Sequence, residues 1–371
     1  MQPLSGVLVL DFTTLLPGPL ATLMLAEAGA EVIKIERPGG EDMRVMTPLI
    51  DGEAAVFALL NRGKKSVVLD LKSEADRARL KPLIARADVL VEQFRPGVME
   101  RLGLGYEAVA AINPRIVYCS ISGYGQSGPR ANEAGHDVNY MSLTGLLALQ
   151  PGPVEKPVLP PALVADIGGG TMPAVINILL GLRQRDATGQ GVYLDVAMTD
   201  AMFTFAWYAY AIGHATGTFP GPGELRLVGA SPRYQLYPTA DGKIVACGAL
   251  EQKFWLAFCN TIGLPAPLMN DVADPAATKA AVADIIRRET ATYWRPKFAA
   301  ADCCATIMAS LEEALHDPHF VERGLFAHRV SAPGGAMVPA LPMPIAATLR
   351  EAAGTKPSPK LGANTAALLE K

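Results

Sequence analysis

The chain has 371 residues, enough to bury a sizeable core and to divide into two domains, and half of them are hydrophobic. The formal net charge of −3, without a long Lys/Arg block, excludes a global positive field for nucleic acid, so an anionic ligand has to be met by local arginines. No uninterrupted apolar run reaches the ~18 residues that span a bilayer, no basic segment precedes the short run Val7–Leu10, and the five cysteines show no C-x-x-C spacing; secretion, membrane insertion and a disulfide framework are therefore not expected.

In chain order, Val7–Asp11, Glu31–Glu36, Ser66–Leu71, Asp88–Gln93 and Arg115–Ser120 are short, rich in Val, Ile and Leu, and mostly bounded by turn signals. Apolar runs without clean alternation suit strands covered on both faces, as in a parallel sheet. Helical stretches lie between them at Leu20–Ala28, Ser73–Ala87 and Tyr106–Ile112. Such alternation predicts an α/β, doubly wound, Rossmann-like domain whose ligands meet the carboxyl ends of the strands. No G-x-G-x-x-G follows the first strand, and the loop Leu16-Pro17-Gly18-Pro19 is too rich in proline for the dinucleotide turn, so NAD is not expected. A helix over Thr171–Arg185, a strand at Val192–Ala197 and an aromatic-rich helix over Asp200–Ala211 follow. The Gly/Pro-rich Gly213–Pro232 reads as linker. The turn Thr239-Ala240-Asp241-Gly242 between Tyr234–Tyr237 and Lys243–Ala249 reads as a hairpin opening a smaller α+β unit, continued by helices at Gln252–Ile262 and Ala277–Phe298. The division is thus a large domain over 1–200 with 335–371 returning to it, a linker at 201–233 and a small domain at 234–330.

Two clusters carry acid–base groups. Gly135-His136-Asp137-Val138-Asn139-Tyr140 follows the loop Gly123-Tyr124-Gly125-Gln126-Ser127-Gly128-Pro129, beyond a strand's carboxyl end. Val164-Ala165-Asp166-Ile167-Gly168-Gly169-Gly170 sets a carboxyl before three glycines at a helix start. Taken singly, each has a structural reading: a His–Asp pair as helix cap or satisfied core group, and Asp166 as N-cap with glycines that accommodate packing. Together they suit one reaction. Removing a proton beside a thioester carbonyl makes an enolate, and returning it to the opposite face inverts the carbon, so one carrier is needed on each side. An imidazole and a partly shielded carboxyl are suitable carriers.

Beyond these residues, the sequence resembles the family III CoA-transferases, and within them the α-methylacyl-CoA racemases, over essentially its whole length. The resemblance runs through Gly29-Ala30-Glu31-Val32-Ile33-Lys34-Ile35-Glu36-Arg37-Pro38, Ala87-Asp88-Val89-Leu90-Val91-Glu92-Gln93-Phe94-Arg95-Pro96-Gly97-Val98 and Arg101-Leu102-Gly103-Leu104-Gly105, and ends at Leu361-Gly362-Ala363-Asn364-Thr365. It implies an interlocked homodimer acting on acyl-CoA, with no cofactor beyond the CoA moiety and no nucleic-acid or membrane partner. The racemase signature G-H-D-x-N-Y places the catalytic imidazole at His136, with Asp166 as the partner carboxyl and Glu251 as the acid that holds the His. The Asp137 N–H matches the thioester-oxygen donor. Arg37 and Arg101 match CoA-phosphate contacts, with Arg95 and Tyr140 as further CoA-site residues, and Leu69 and Leu71 match the adenine edge. The transferases of the family instead use an Asp in the Asp166 region as a nucleophile that forms an acyl anhydride. His136, where they carry no His in this motif, and Cys247-Gly248-Ala249-Leu250 in place of their glycine run beside Glu251, favour the racemase.

Three further readings complete the sequence. His316 and His319 flank Pro318, which interrupts any shared helical face, so no metal is expected. Phe203, Phe205, Trp207, Tyr208 and Tyr210 offer either an acyl-pocket lining or, the favoured reading, packing as a buried helix or subunit contact, and Met43, Met46, Met141 and Met172 read as an adaptable apolar surface for acyl chains. The tail Leu369-Glu370-Lys371 is no peroxisomal address, which leaves the cytoplasm as the expected location.

Overall fold

The computed structural model describes residues 1–369; Glu370 and Lys371, and with them most of the tail motif just named, lie outside the described residues. A six-stranded sheet organises the first half of the chain. Its strands are β1 (Leu8–Asp11), β2 (Glu31–Glu36), β3 (Lys65–Val68), β4 (Val89–Glu92), β5 (Val117–Ser122) and β6 (Val192–Ala197). All pairs are parallel, in the order β3-β2-β1-β4-β5-β6. The chain thus builds outward from β1 in both directions, and the crevice between the carboxyl ends of β1 and β4 is where a sheet of this order receives ligands. Every residue of β1, β4 and β5 is buried, which accounts for the unbroken apolar runs.

The helices of this region are α1 (Pro17–Glu27), α2 (Glu74–Arg86), α3 (Tyr106–Ile112), α4 (Asp137–Leu143) and α5 (Met172–Thr188). Leu80, Leu83, Ile84 and Val109 of α2 and α3 share one core cluster with Leu8, Leu10, Ile33 and Leu90, whereas Leu20, Leu23 and Met24 of α1 enter another with Phe57 and Leu60. Helix α1 begins three residues before the expected Leu20, because prolines in a first turn need no backbone N–H partner. Ser73 caps α2 by accepting from the Asp76 N–H at 3.4 Å.

Two compact units emerge: one of residues 1–144, 161–204 and Pro318 onward, the other of 145–160 and 205–317. These bounds correct the sequence reading in three places. Residues 145–160 join the second unit, in which the Gly223 N–H donates to the Leu149 carbonyl at 3.1 Å. The expected linker 201–233 is divided, 201–204 falling in the first unit, and the helix expected over Asp200–Ala211 is two, Met202–Phe205 and α6 (Trp207–Thr216), the latter closed by left-handed Gly217 at φ 76°. Residues 318–334 join the first unit, through the small sheet described below.

The second unit carries β7 (Tyr234–Pro238) and β8 (Ile244–Gly248), the expected hairpin, and β9 (Ala305–Ile307), in the order β9-β8-β7. Helix α7 (Gln252–Ile262) packs Trp255 and Phe258 into its core. The single helix expected over Ala277–Phe298 is two, α8 (Pro275–Ile286) and α9 (Ala291–Ala301), since Thr290 caps the second by accepting from the Tyr293 N–H at 3.3 Å.

In the first unit β10 (Arg329–Ser331) lies between β11 (Met337–Pro339) and β12 (Thr355–Pro357). The chain end then docks on β3: the Ser66 N–H donates to Asn364 Oδ1 at 3.0 Å, and the Val68 N–H to Thr365 Oγ1 at 3.0 Å. This is the structural use of the Asn364-Thr365 motif.

Phe203, Phe205, Trp207 and Tyr210 are exposed in the single chain, Trp207 by 60 %, which overturns the buried-helix reading and is compatible with the subunit-contact one. Of the four methionines, Met43 and Met141 are core residues and Met172 packs on the α1 cluster, while Met46 is exposed, so the four do not form one open acyl surface. The stretch Ala165–Thr188 is long and apolar enough to cross a membrane by length and composition, but it packs on α1, β5 and β6 as a core helix does. Among the described residues no three His, Cys, Asp or Glu side chains gather to hold a metal.

Candidate active site

Two cavities open along the carboxyl ends of the central strands. The first, about 480 Å³, is bordered by Thr14 and Leu15 after β1, Gln93–Pro96 after β4, Gly123 and Tyr124 after β5, Met198 after β6, and by His136, Tyr140 and Asp166. The second, about 460 Å³, collects Arg37 after β2, Leu69, Leu71 and Lys72 after β3, and Val98 and Leu102. Thr14 and Phe94 border both, so the two are neighbours across β1 and β4.

His136 stands at the N-cap of α4 in extended conformation. Its backbone N–H donates to Asn139 Oδ1 at 3.0 Å, and the Asn139 N–H donates back to the His136 carbonyl at 2.8 Å. The capping reading of this motif is therefore correct for the backbone, and it leaves the imidazole on the exposed cavity wall. Asp137 follows as the first residue of the helix, and its N–H has no acceptor among the described residues, as expected for a first-turn amide. Tyr140 is buried; its hydroxyl donates to the Gly135 carbonyl at 2.5 Å and its ring meets Tyr124 edge-on at 5.2 Å. Burial pushes the Tyr140 phenol up to about 12, so it remains a donor. With its hydroxyl so engaged, Tyr140 fixes the loop before His136, and its side chain borders the same cavity. A Cβ on Gly135 would stand 2.6 Å from that ring.

Asp166 lies on a π-helical turn, Ala165–Thr171, that runs into α5. Such turns recur at functional sites, and nothing in the residue pattern announces this one. Asp166 does not cap its helix. That part falls to Asp137, whose Oδ1 accepts from the Ala165 N–H at 2.7 Å and the Asp166 N–H at 3.0 Å. The glycines serve packing: a Cβ on Gly169 would lie 2.3 Å from the Met198 carbonyl oxygen. The Asp166 carboxyl is raised to about 6, first by burial and then by the Asp137 charge, with His136 acting in the opposite sense.

Arg95 borders the same cavity, and its guanidinium has no ion-pair or hydrogen-bond partner among the described residues, whereas Arg37 donates to the Gly40 carbonyl at 2.8 Å and pairs with Asp42. Arg101, the last residue of the turn Val98–Arg101, borders neither cavity. Glu251 is the N-cap of α7 and belongs to the second unit.

The wall formed by the β1–α1 loop escapes sequence reading. Leu15 adopts φ 61°, and its N–H donates to Glu41 Oε2 at 3.0 Å. Beneath it Lys34 Nζ meets Glu41 at 2.9 Å and the Thr13 carbonyl at 2.7 Å, and Lys64 Nζ meets Asp11 at 3.0 Å. The only sequence signal is that charged residues interrupt or end otherwise apolar runs. Gln93 adds a further brace by accepting from the Gly18 N–H at 2.9 Å.

The chain matches the family model "CoA-transferase family III" over residues 4–365. It is 34% identical to the alpha-methylacyl-CoA racemase of Mus musculus over 99% of this chain and 93% of that protein. It is equally 34% identical to the acetyl-CoA:oxalate CoA-transferase of Acetobacter aceti, over 92% and 89%. The crystal structure of a CAIB/BAIF family protein from Brucella suis superposes with a TM-score of 0.84 at 31% identity, covering 99% of this chain and 98% of that one.

Proposed function

We propose that this chain, which belongs to CoA-transferase family III, is the racemase or epimerase of a 2-methylacyl-CoA thioester. The observation that carries the reading is that His136 and Asp166, thirty positions apart, border one cavity at the carboxyl ends of the strands. One carrier takes the α-proton and the enolate forms; the other delivers a proton to the opposite face. The Asp137 N–H is the donor assigned to the enolate oxygen, where an aimed amide is most effective in a water-poor pocket. Arg37, Leu69 and Leu71, gathered at the neighbouring cavity, take the nucleotide end of CoA, with Arg95 nearer the reacting carbon.

The working protein in this reading is an interlocked homodimer with a doubly wound large domain. Ile176, Leu179 and Leu180 on α5, together with Phe203, Trp207 and Tyr210, expose apolar surface that a second copy would cover. Glu251 steadies His136 in that assembly. The cytoplasm is the assigned compartment, in line with five free cysteines, and nothing beyond the CoA moiety is required.

Transfer of CoA through an Asp166 anhydride is the second reading, favoured by the equal identity to the Acetobacter aceti enzyme. Incubation with a 2-methylacyl-CoA in deuterated water separates them: the racemase exchanges its α-hydrogen with no second acid, and the transferase requires an acceptor carboxylate.

A further inference from the structure

We infer that the Asp137 side chain is a positioning residue that clamps the start of the Asp166 helix to the loop carrying His136, so that the two proton carriers are held as one unit. The inference rests on the proton-transfer reading and deepens it. Asp137 is buried to 7 % exposure, and one of its oxygens, Oδ1, receives both the Ala165 and the Asp166 N–H, at 2.7 and 3.0 Å. Residue 137 thereby acts in two directions. Its own amide is the free first-turn donor beside His136, and its carboxylate satisfies two orphan amides where the π-turn begins. Among the described residues no backbone hydrogen bond between regular elements ties α4 to this turn, so the two bonds to Oδ1 are the polar link shown between the carriers.

The clamp also places a negative charge beside Asp166. The groups that face Asp166 from every side are Asp137 and His136 from α4 and its cap, and Tyr140 with Tyr124 and Arg95 behind it. Of these, Asp137 pushes the Asp166 carboxyl upward and His136 pulls it downward. The acid limb of the rate profile follows the Asp166 carboxyl, which the Asp137 charge raises.

Asp137→Asn separates geometry from charge, because the amide oxygen still accepts both N–H groups. In the full-length protein, α-hydrogen exchange of 2-methylbutyryl-CoA in deuterated water is followed against pH. The expected result for Asp137→Asn is an acid limb moved down by about half to one pH unit, with a smaller loss of kcat than in Asp137→Ala. Asp137→Ala removes the clamp, and kcat falls at least about tenfold while KM stays within about threefold. Amide exchange of the peptide covering residues 163–170 supplies a readout independent of turnover: protection is retained with Asn and lost with Ala. An acid limb unmoved in Asp137→Asn, or equal protection of that peptide in Asp137→Ala and the parent, overturns the inference. A parent protein without exchange activity sinks the racemase reading instead, and the amide measurement still decides the clamp.

Discussion

Gly169 approaches Met198 so closely that a Cβ on the glycine would stand 2.3 Å from the methionine carbonyl oxygen. This contact seats the π-turn that carries Asp166 against the end of β6. Backbone cannot yield as a side-chain tip does, so Gly169→Ala is expected to cost about 1–3 kcal/mol, the range for overpacking a filled site. The midpoint of thermal unfolding is the measurement, and kcat should fall with it as Asp166 shifts.

Removing either carrier should be severe. A positioned acid–base group contributes about 10²–10⁴-fold, so His136→Ala is expected to lower α-hydrogen exchange by that factor. CoA binding should remain close to that of the parent, because Arg37, Leu69 and Leu71 border the neighbouring cavity. Exchange rate and the Kd of CoA, measured on the same variant, test both halves.

The arginines should differ. Arg37 borders the cavity assigned to the nucleotide and Arg101 borders neither, so Arg37→Ala should raise KM several-fold more than Arg101→Ala, with kcat little changed in both. A phosphate contact is similar in ground and transition states, which is why KM is the sensitive quantity.

Glu92 supplies a pH test of stability. It is buried at the end of β4, where it accepts from the Phe94 N–H at 2.7 Å, and burial pushes its carboxyl up to about 7 from 4.5. A raised acid binds more protons folded than unfolded, so its contribution is fully present below about 4.5 and is lost as pH rises toward about 7. Glu92→Gln keeps an acceptor and removes the charge. Its unfolding midpoint should exceed that of the parent at pH 8 and approach it at pH 5.

The central sheet is legible in the sequence because strands buried on both faces, as Leu8–Asp11 and Val89–Glu92 are, read as short, mainly apolar runs, and Glu31–Glu36 and Val192–Ala197 fall where such runs predict them. The G-H-D-x-N-Y motif is legible too, although its Asn139 braces the His136 backbone and its Tyr140 braces the preceding loop, roles set by three-dimensional neighbours. What pattern cannot display is contact between distant segments. The Asp137 clamp joins positions 28 and 29 apart, and the charges of Asp11, Lys34 and Lys64 only interrupt or flank apolar runs until the fold buries them together. The aromatic run near Trp207 is legible only as apolar for a related reason, since hydrophobicity alone does not say whether a face meets this chain's own core or another surface.

The most direct test is to incubate the protein with a single enantiomer of a 2-methylacyl-CoA in deuterated water, without added carboxylic acid, and to follow the α-position by mass and chirality. The expected result is incorporation of one deuterium with progressive loss of optical purity, absent in His136→Ala and Asp166→Asn. An unlabelled, optically intact thioester that passes its CoA to an added carboxylate would contradict proton transfer across the cavity and make Asp166 a nucleophile.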